Sequence, residues 1–315
     1  MNPLKHIAFA TCRDLPGHEH DDEDFYALCQ ATEGLSVAHP IWDDPGVDWS
    51  SYDLVVIRTT WDYTKRFDAF LEWAREVSSV SKLRNTIDII EWNGHKSYLR
   101  DLELGGVPIV PTIWFDRGES EHEAFDHAIA ELRAAHAHAT RGFFKPCVGA
   151  NSSGTRRFSL TDEEELAHAF QAFVEENAHH AMMLQPYRAE VESHGEISLL
   201  FFDGVFSHAL RKIPKQGDYR VQDDWGARDE PLTLEGDLGE ALLAMCKRCM
   251  EVTRQMTGHL PLYARVDLLP SDTSGERFEV NELELIEPSL FWRHAPAASM
   301  QRFLDLLLKA METAG

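Results

Sequence analysis

Short apolar runs alternate with helical patterns over the first third of the chain, and no other feature constrains the fold as strongly. The runs "HIAFATC" (6–12) and "YDLVVIRTTWDY" (52–63) are typical of buried strands, helices are predicted near 22–33 and 66–80, and "IDIIEW" (87–92) is predicted as a further strand. Buried strands separated by helices predict a parallel, doubly wound α/β sheet. Ligands of such sheets bind beyond the carboxyl ends of the strands.

The polar residues at the end of the second of these strands are therefore candidates for substrate binding. Arg58 is suited to clamp a carboxylate, because its guanidinium is planar and donates two parallel hydrogen bonds. Asp62 is a candidate partner for an amino group, and Tyr63 for a wall of the pocket. Trp61 is expected to pack against the rest of the protein instead.

The rest of the chain predicts two further units with mixed, α+β character. Two strands flank the loop "VGANSSGT" (148–155), which is therefore expected at the tip of a hairpin, and Asp203-Gly204 between apolar runs predicts a second, tighter hairpin. A chain of 315 residues is also longer than one hydrophobic core usually grows. We predict an N-terminal substrate domain, a lid domain and a C-terminal domain with a metal site, at 1–95, 96–184 and 185–315.

Composition excludes several classes of partner. A net charge of −23, from 53 acidic and 30 basic residues, argues against binding to nucleic acid or to an anionic membrane. No apolar run approaches the roughly 20 residues of a membrane span, and the N-terminus does not resemble a secretory signal, so a cytoplasmic location is expected. Five scattered cysteines make a poor disulfide framework. The acidic segment 17–25 is expected to be a solvated loop that leads into a helix.

Three carboxylates on the last two predicted strands are spaced as ligands of a metal ion would be. Asp267 is the single acid of an otherwise apolar strand, and Glu282 and Glu284 are two residues apart, so they point to one face of the next strand. Hard carboxylate oxygens favour Mg²⁺. A solvated strand face explains the same pattern, and Glu279 and Glu287 are rival ligands, so these alternatives stay open at this point.

Lysines near donor-rich segments predict a site for a nucleoside triphosphate. Lys145 ends the aromatic run of "GFFKP" just before the hairpin loop, and Lys96 opens a helix after "EWNGH". Neither the phosphate-loop motif nor G-x-G-x-x-G occurs in the sequence, so the site is of another kind. A cation, backbone N–H groups and a carboxylate-bound Mg²⁺ together neutralise phosphate charge. The loop residues expected over the phosphates are Gly149, Ser152, Ser153 and Gly154.

The segment "MLQPYRAEV" is predicted to lie between lid and core, where an adenine would bind. Its backbone offers polar groups at Gln185 and Tyr187, whereas Pro186 has no N–H to donate.

This order of parts resembles the ATP-grasp superfamily over nearly the whole chain. More narrowly, "IWDDPGVDWSSYDLVVIRTTWDY", "EWNGHKSYLRDL", "LFFDGVFSHALRKIP" and "ELELIEPSLFW" are similar to the subfamily that includes the O-ureido-serine cyclo-ligase of cycloserine biosynthesis. The resemblance implies an ATP-grasp fold and a ligase that activates a carboxylate as an acyl phosphate for attack by an amine-type nucleophile. In the final strand the superfamily usually has Glu-x-Asn, whereas this chain has Glu-x-Glu.

The resemblance also implies roles for individual residues. Lys96 and Lys145 would bind ATP phosphates, Gln185 to Tyr187 the adenine, and Glu196 the ribose hydroxyls. Lys212 and Arg220 match the basic pair beside the transferred phosphoryl group, and Arg211, which points the other way on its strand, is a further substrate candidate. Asp267, Glu282 and Glu284 would hold Mg²⁺.

The favoured prediction is therefore an ATP- and Mg²⁺-dependent ligase acting on a small amino-acid-like or peptide substrate, with homo-oligomer formation left open. It would join two molecules or close a ring. One alternative is a regulator that binds ATP without catalysis, and another is a phosphotransferase to a hydroxyl, which would need a general base near the acceptor.

Overall fold

The computed structural model describes residues 4–15, 19–119, 121–135, 139–149, 154–215 and 226–312. Its helices are α1 Glu23–Gln30, α2 Phe67–Val80, α3 Ile87–Asn93, α4 Tyr98–Leu104, α5 His122–Ala135, α6 Glu163–Asn177, α7 Val191–His194, α8 Gly236–Thr257 and α9 Ala297–Glu312. Its strands are β1 Lys5–Thr11, β2 Leu35–Ala38, β3 Leu54–Thr59, β4 Leu83–Arg84, β5 Ile113–Phe115, β6 Arg141–Pro146, β7 Arg156–Ser159, β8 Met182–Pro186, β9 Glu196–Phe202, β10 Val205–Ile213, β11 Arg228–Leu232, β12 Tyr263–Pro270 and β13 Phe278–Glu284.

The first sheet is parallel, with strand order β2-β1-β3-β4 among the described residues. Both of its faces are covered, since the side chains of β1 and β3 alternate between two apolar clusters. This arrangement confirms the predicted α/β sheet. The expectation that 87–92 forms a strand is wrong, because this segment is helix α3 and the fourth strand is the short β4 before it. A short apolar run fits a buried helix as well as a strand.

The middle sheet is antiparallel, with order β5-β8-β6-β7, and it packs against α5 and α6. Its own apolar cluster is rich in aromatic side chains, including Phe115, Phe125, Phe144 and Phe173. β6 and β7 pair directly, from Arg141 opposite Ser159 to Phe144 opposite Arg156, so the loop between them lies at a hairpin tip as predicted.

The third sheet is also antiparallel, with order β11-β10-β9-β12-β13 in the described part of the chain. β9 and β10 join through Asp203 and Gly204, whose φ angles of 51° and 71° are those of a tight hairpin turn. This hairpin confirms the sequence-based prediction. α8 covers one face of the sheet, while α9 packs with the first sheet against the other.

Two buried asparagines join the first sheet to the third. The side-chain amide of Asn85 donates to the carbonyls of Tyr263 (3.0 Å) and Leu285 (2.7 Å), and its oxygen accepts from the N–H of Leu262 at 2.6 Å. The Asn93 amide bridges β13 in the same way, with a 2.8 Å bond to the carbonyl of Leu283 and a 2.9 Å bond from the N–H of Leu285. Side-chain amides therefore satisfy backbone groups where the first and third sheets adjoin.

The segment between the first sheet and the middle sheet belongs to the C-terminal core. Tyr98 and Leu102 of α4 lie in the apolar cluster that contains α8, and Val110 continues the pairing with a 3.0 Å bond to the carbonyl of Val280. The lid's own apolar cluster begins at Phe115. The division into three domains at 95 and 184 stays a prediction.

Candidate active site

Acidic side chains meet on one face of the third sheet. Asp267 of β12 lies opposite Glu282 of β13 on one side and opposite Ser198 of β9 on the other. Oxygen atoms of Asp267, Glu282 and Glu284 come within 4.8 Å of one another. The two-residue spacing thus does bring the three carboxylates together, although their role as metal ligands stays a prediction.

A β-bulge in β13 orients Glu282 toward Asp267. The register shifts so that Asp267 pairs with Glu282 whereas the next residue, Leu268, pairs with Val280, which leaves Asn281 as the extra residue. Without this shift Val280 and Glu282 would share a face, yet Val280 lies in the apolar core. The bulge therefore turns Glu282 into the site.

Cations of the protein face the acids. Arg265, on the same face two residues before Asp267, donates to both of its oxygens at 2.9 to 3.1 Å and also pairs with Glu284. The Lys212 ammonium donates to Glu196 at 2.9 Å and to Asp267 at 3.2 Å. Arg265, Lys212, Asp267 and Glu196 are buried and Glu284 is partly buried, so these charges need partners of opposite sign.

The pKa values of two acids of the cluster are shifted in opposite directions. Burial would raise the pKa of Asp267, but Arg265 and Lys212 outweigh burial and hold it well below its usual range. Burial raises the pKa of Glu284 to about 8, because the nearby carboxylates add to the effect and offset Arg265. One carboxylate of the cluster is thus poorly neutralised, which fits a site built for an added cation.

Two lysines approach the acids from the lid side. The Lys96 ammonium pairs with Glu282, and its backbone N–H donates to the carbonyl of Cys147 at 2.7 Å. Lys145 is on β6, and burial, followed by the like charge of Lys96, lowers its pKa to about 8. Lys96 therefore contacts the carboxylate cluster directly, whereas Lys145 has a pKa close to neutral pH and is affected by the charge of Glu282.

The predicted adenine segment leads out of β8. Gln185 is buried and donates through its side chain to the Thr112 hydroxyl at 2.8 Å. Pro186 ends the strand, and the Tyr187 N–H already donates to the carbonyl of Arg141 at 2.9 Å. The side chain of Glu196 accepts from Asn281 at 3.2 Å as well as from Lys212.

The N-terminal candidates lie in different surroundings from those expected. The Arg58 side chain is 2% exposed and forms two hydrogen bonds to Asp22, at 2.9 and 3.1 Å. Asp62 accepts from the indole of Trp42 at 2.8 Å and from Arg66 at 2.8 Å. Arg58 already has an internal carboxylate partner, so its substrate role, like that of Asp62, stays a prediction.

Tyr63 lies in the apolar cluster of the first sheet, where its ring packs against Phe70. It is buried, and its pKa lies well above the usual value because of burial and then the negative charge of Glu287. Burial also raises the pKa of Glu287 to about 7. The indole of Trp61 donates to the backbone carbonyl of Glu287 at 3.3 Å, so the expected interface role of Trp61 is confirmed.

Some predicted residues are outside the site or outside the described ranges. Arg211 is half-buried, on the face of β10 opposite to Lys212. Gly149 and Gly154 border the hairpin loop, whereas Ser152, Ser153 and Arg220 lie outside the described residues.

Sequence reasoning missed two residues. The Arg265-x-Asp267 spacing could have revealed Arg265, by the same two-residue rule that paired the glutamates. Asp22 was assigned to a solvated loop, which is wrong: it is 3% exposed and accepts from Arg58, from the indole of Trp292 at 2.8 Å and from the Tyr26 hydroxyl at 3.1 Å. Its partner Arg58 is 36 residues away, so no local pattern signals the pair.

Comparison with known proteins assigns the family. Residues 7–85 match the family model described as the N-terminal domain of D-cycloserine synthetase DcsG. The chain is 32% identical over 277 residues to the cycloserine biosynthesis protein DcsG of Streptomyces lavendulae, covering 85% of this chain and 88% of that protein. This chain belongs to the DcsG family of ATP-grasp ligases.

Solved structures agree with the DcsG assignment. The crystal structure of D-cycloserine synthetase DcsG superposes with a TM-score of 0.83 at 27% identity, covering 98% of this chain and 100% of that one. D-alanine–D-alanine ligase from Bacillus anthracis complexed with ATP has a TM-score of 0.68 at 14% identity, covering 98% and 97%, and shares the fold. The predicted ATP-grasp fold and the predicted class, an ATP-dependent carboxylate–amine ligase, are confirmed. No helix of the described residues is long and apolar enough to cross a membrane.

Proposed function

We propose that this DcsG-family protein transfers the γ-phosphoryl group of ATP to the carboxylate of an amino-acid-like substrate and then closes a ring by attack of an amine-type nucleophile in the same molecule. One observation carries the proposal: the oxygens of Asp267, Glu282 and Glu284 lie within 4.8 Å of one another, with Lys96 paired to Glu282. The name of the relative, a cycloserine biosynthesis protein, supports ring closure over the joining of two molecules.

The carboxylate cluster suits Mg²⁺. All three donors are hard oxygens on adjacent strands, and burial, together with the neighbouring carboxylates, raises the pKa of Glu284 although Arg265 opposes the effect. When bound, Mg²⁺ would offset the negative charge that develops on the phosphates during transfer. Asp267, Glu282 and Glu284 are the residues we propose to hold it.

The nucleotide would lie between the lid and the third sheet. Lys96 and Lys145 are proposed to bind phosphates, with Gly149, Ser152, Ser153 and Gly154 closing over them. Gln185, Pro186 and Tyr187 are proposed to border the adenine and Glu196 to bind the ribose. Since the Tyr187 N–H is already bonded to Arg141, the base would have to be read through other backbone groups of this segment.

Lys212 is proposed to stabilise the phosphoryl group in transfer, together with Arg220. The ammonium of Lys212 lies 3.2 Å from Asp267, so it is beside the proposed metal. Arg265 lies at the same place and is a second donor for the anionic intermediate. A substrate carboxylate is ionised at neutral pH and can attack the phosphorus without a general base.

The N-terminal domain is proposed to hold the substrate. Tyr63 is the first candidate, because the negative charge of the acidic cluster contributes to its raised pKa. Asp62 and Arg211 are further candidates. Arg58 would have to release Asp22 before it could bind a substrate carboxylate.

Transfer of an oxygen label tests this mechanism. Substrate candidates, beginning with O-ureido-serine, carry ¹⁸O in the carboxylate and are turned over with ATP and Mg²⁺. We expect one labelled oxygen per turnover in the released phosphate, with ADP as the other product and a cyclic product by mass spectrometry. Unlabelled phosphate, or AMP with pyrophosphate, would refute the acyl phosphate. A labelled phosphate with a linear product would refute only the ring closure.

A further inference from the structure

A bulky residue beside the active site has a left-handed backbone. Phe291 has φ 49° and ψ 48°, a conformation that L residues with large side chains rarely adopt. Both neighbours are held: the carbonyl of Leu290 accepts from Nε2 of His208 at 2.9 Å, and the indole of Trp292 donates to Asp22 at 2.8 Å. Unusual backbone that is fixed on both sides is common at functional sites.

The ring of Phe291 lies among three cations. The distances to its centroid are 5.5 Å for the Lys212 ammonium, 5.7 Å for the Arg265 guanidinium and 5.0 Å for that of Arg293. All three are within the range in which a cation is attracted to the negative face of an aromatic ring. The ring is 7% exposed, so water screens these contacts weakly.

The contact with the ring differs in kind from the other contacts of these cations. Lys212 and Arg265 otherwise bond to Asp267, Glu196 and Glu284, and each such bond occupies an N–H donor. An aromatic face attracts the whole charge and occupies no particular donor. When phosphate oxygens arrive and compete for the N–H groups, the ring can keep the cations in place.

We propose that Phe291 is a positioning residue. Its aromatic ring holds Lys212 and Arg265 in place while their N–H groups donate hydrogen bonds to the transferred phosphoryl group. A bulky residue then occupies the left-handed position because the ring must reach both cations. This role rests on the proposed function, because it assumes that Lys212 acts on the phosphoryl group.

Substitutions that separate aromatic character from packing test the inference. Phe291→Leu keeps an apolar side chain and removes the ring, and Phe291→Tyr keeps the ring. Phe303→Leu is the matched control, because Phe303 is fully buried in the same apolar cluster and its ring stacks on Phe202 with centroids 4.7 Å apart. Steady-state kcat, the KM for ATP and Tm are measured for each full-length variant.

We expect Phe291→Leu to lower kcat by about 10- to 100-fold, with the KM for ATP changed less than about threefold, since the cations found at the ring are Lys212, Arg265 and Arg293 and not the proposed phosphate-binding lysines. Phe291→Tyr should recover most of kcat, and Phe303→Leu should lower Tm with kcat nearly unchanged. A Phe291→Leu enzyme with full kcat, or a Phe303→Leu enzyme that loses kcat equally, overturns the inference. Lys212→Met tests the role of Lys212 separately from that of Phe291. A Lys212→Met enzyme with full activity would refute the proposed role of Lys212 at the phosphoryl group.

If Phe291→Leu is not obtained folded, Phe291→Met replaces it, because methionine is flexible and unbranched and fills irregular space. The same kinetic comparison then decides, and a Phe291→Met enzyme with unchanged kcat overturns the inference in the same way.

Discussion

The ionisation of Lys145 should determine how kcat/KM for ATP declines at alkaline pH. Burial and the like charge of Lys96 lower the pKa of Lys145 from 10.5 to about 8. A lysine with a lowered pKa is a cation below that value and neutral above it. The phosphates of ATP therefore meet one fewer positive charge as the pH rises through 8, while the charge of Lys96 stays, because Glu282 raises its pKa.

The size of the effect follows from the pKa. With a value of about 8, roughly nine-tenths of the enzyme carries the Lys145 cation at pH 7 and roughly one-tenth carries it at pH 9. Since kcat/KM for ATP reports ionisations of the free enzyme, we expect it to fall about tenfold between pH 7 and pH 9. Bound ATP would raise the pKa of Lys145, so kcat should fall less over the same range.

Lys145→Arg is the matched control, because an arginine keeps its charge at every pH of the assay. ADP release is measured from pH 6.5 to 9.5 at saturating amino-acid substrate, with each coupling enzyme checked at each pH. In the Lys145→Arg variant, kcat/KM for ATP should decline less at alkaline pH than in the wild type, whatever the absolute activity of the variant. A wild-type profile without a decline up to pH 9.5, or the same decline in Lys145→Arg, would refute the assignment to Lys145.

Further expected outcomes concern the metal, the buried ion pair and the domain interface. Glu284→Gln should raise the Mg²⁺ concentration for half-maximal activity by about 10- to 100-fold, in a titration of activity at fixed ATP. Asp22→Asn should lower the free energy of unfolding by about 3 kcal/mol, because Arg58 keeps a buried charge without its partner, and denaturant unfolding measures this. Asn85→Ala should destabilise by about 3–5 kcal/mol, since three backbone groups lose a partner, whereas substitution of the exposed Gln301 of α9 by alanine should change stability by less than about 0.5 kcal/mol in the same assay.

Much of the fold follows from local sequence patterns. The two-residue spacing was enough to place Glu282 and Glu284 on one face, because side chains along a strand repeat every two residues, whereas the bulge that brings Glu282 opposite Asp267 has no such local signal. The Asp203-Gly204 turn was predictable because few residue pairs tolerate two positive φ angles in succession.

Other features depend on contacts that no local pattern contains. The helix Ile87–Asn93 was predicted as a strand, because a run of apolar residues this short has no clear period. Its identity is decided by tertiary contacts, including the bonds of Asn93 to β13. The Asp22–Arg58 pair joins residues from different elements, so the acidic segment looked solvated. The left-handed backbone of Phe291 is likewise decided by its surroundings.

The middle sheet is attached to the rest of the protein through neighbouring strands. Ile113 of β5 pairs with Leu184 of β8, and the hydrogen bond between Thr112 and Gln185 lies next to this pair. Paired residues on antiparallel strands are only about 5 Å apart, so residues 113–184 are topologically an insertion that begins and ends at one place. Exchanging this stretch between DcsG relatives therefore needs only two adjacent junctions. Such chimaeras would exchange Lys145 and its hairpin while keeping the carboxylate cluster of the third sheet.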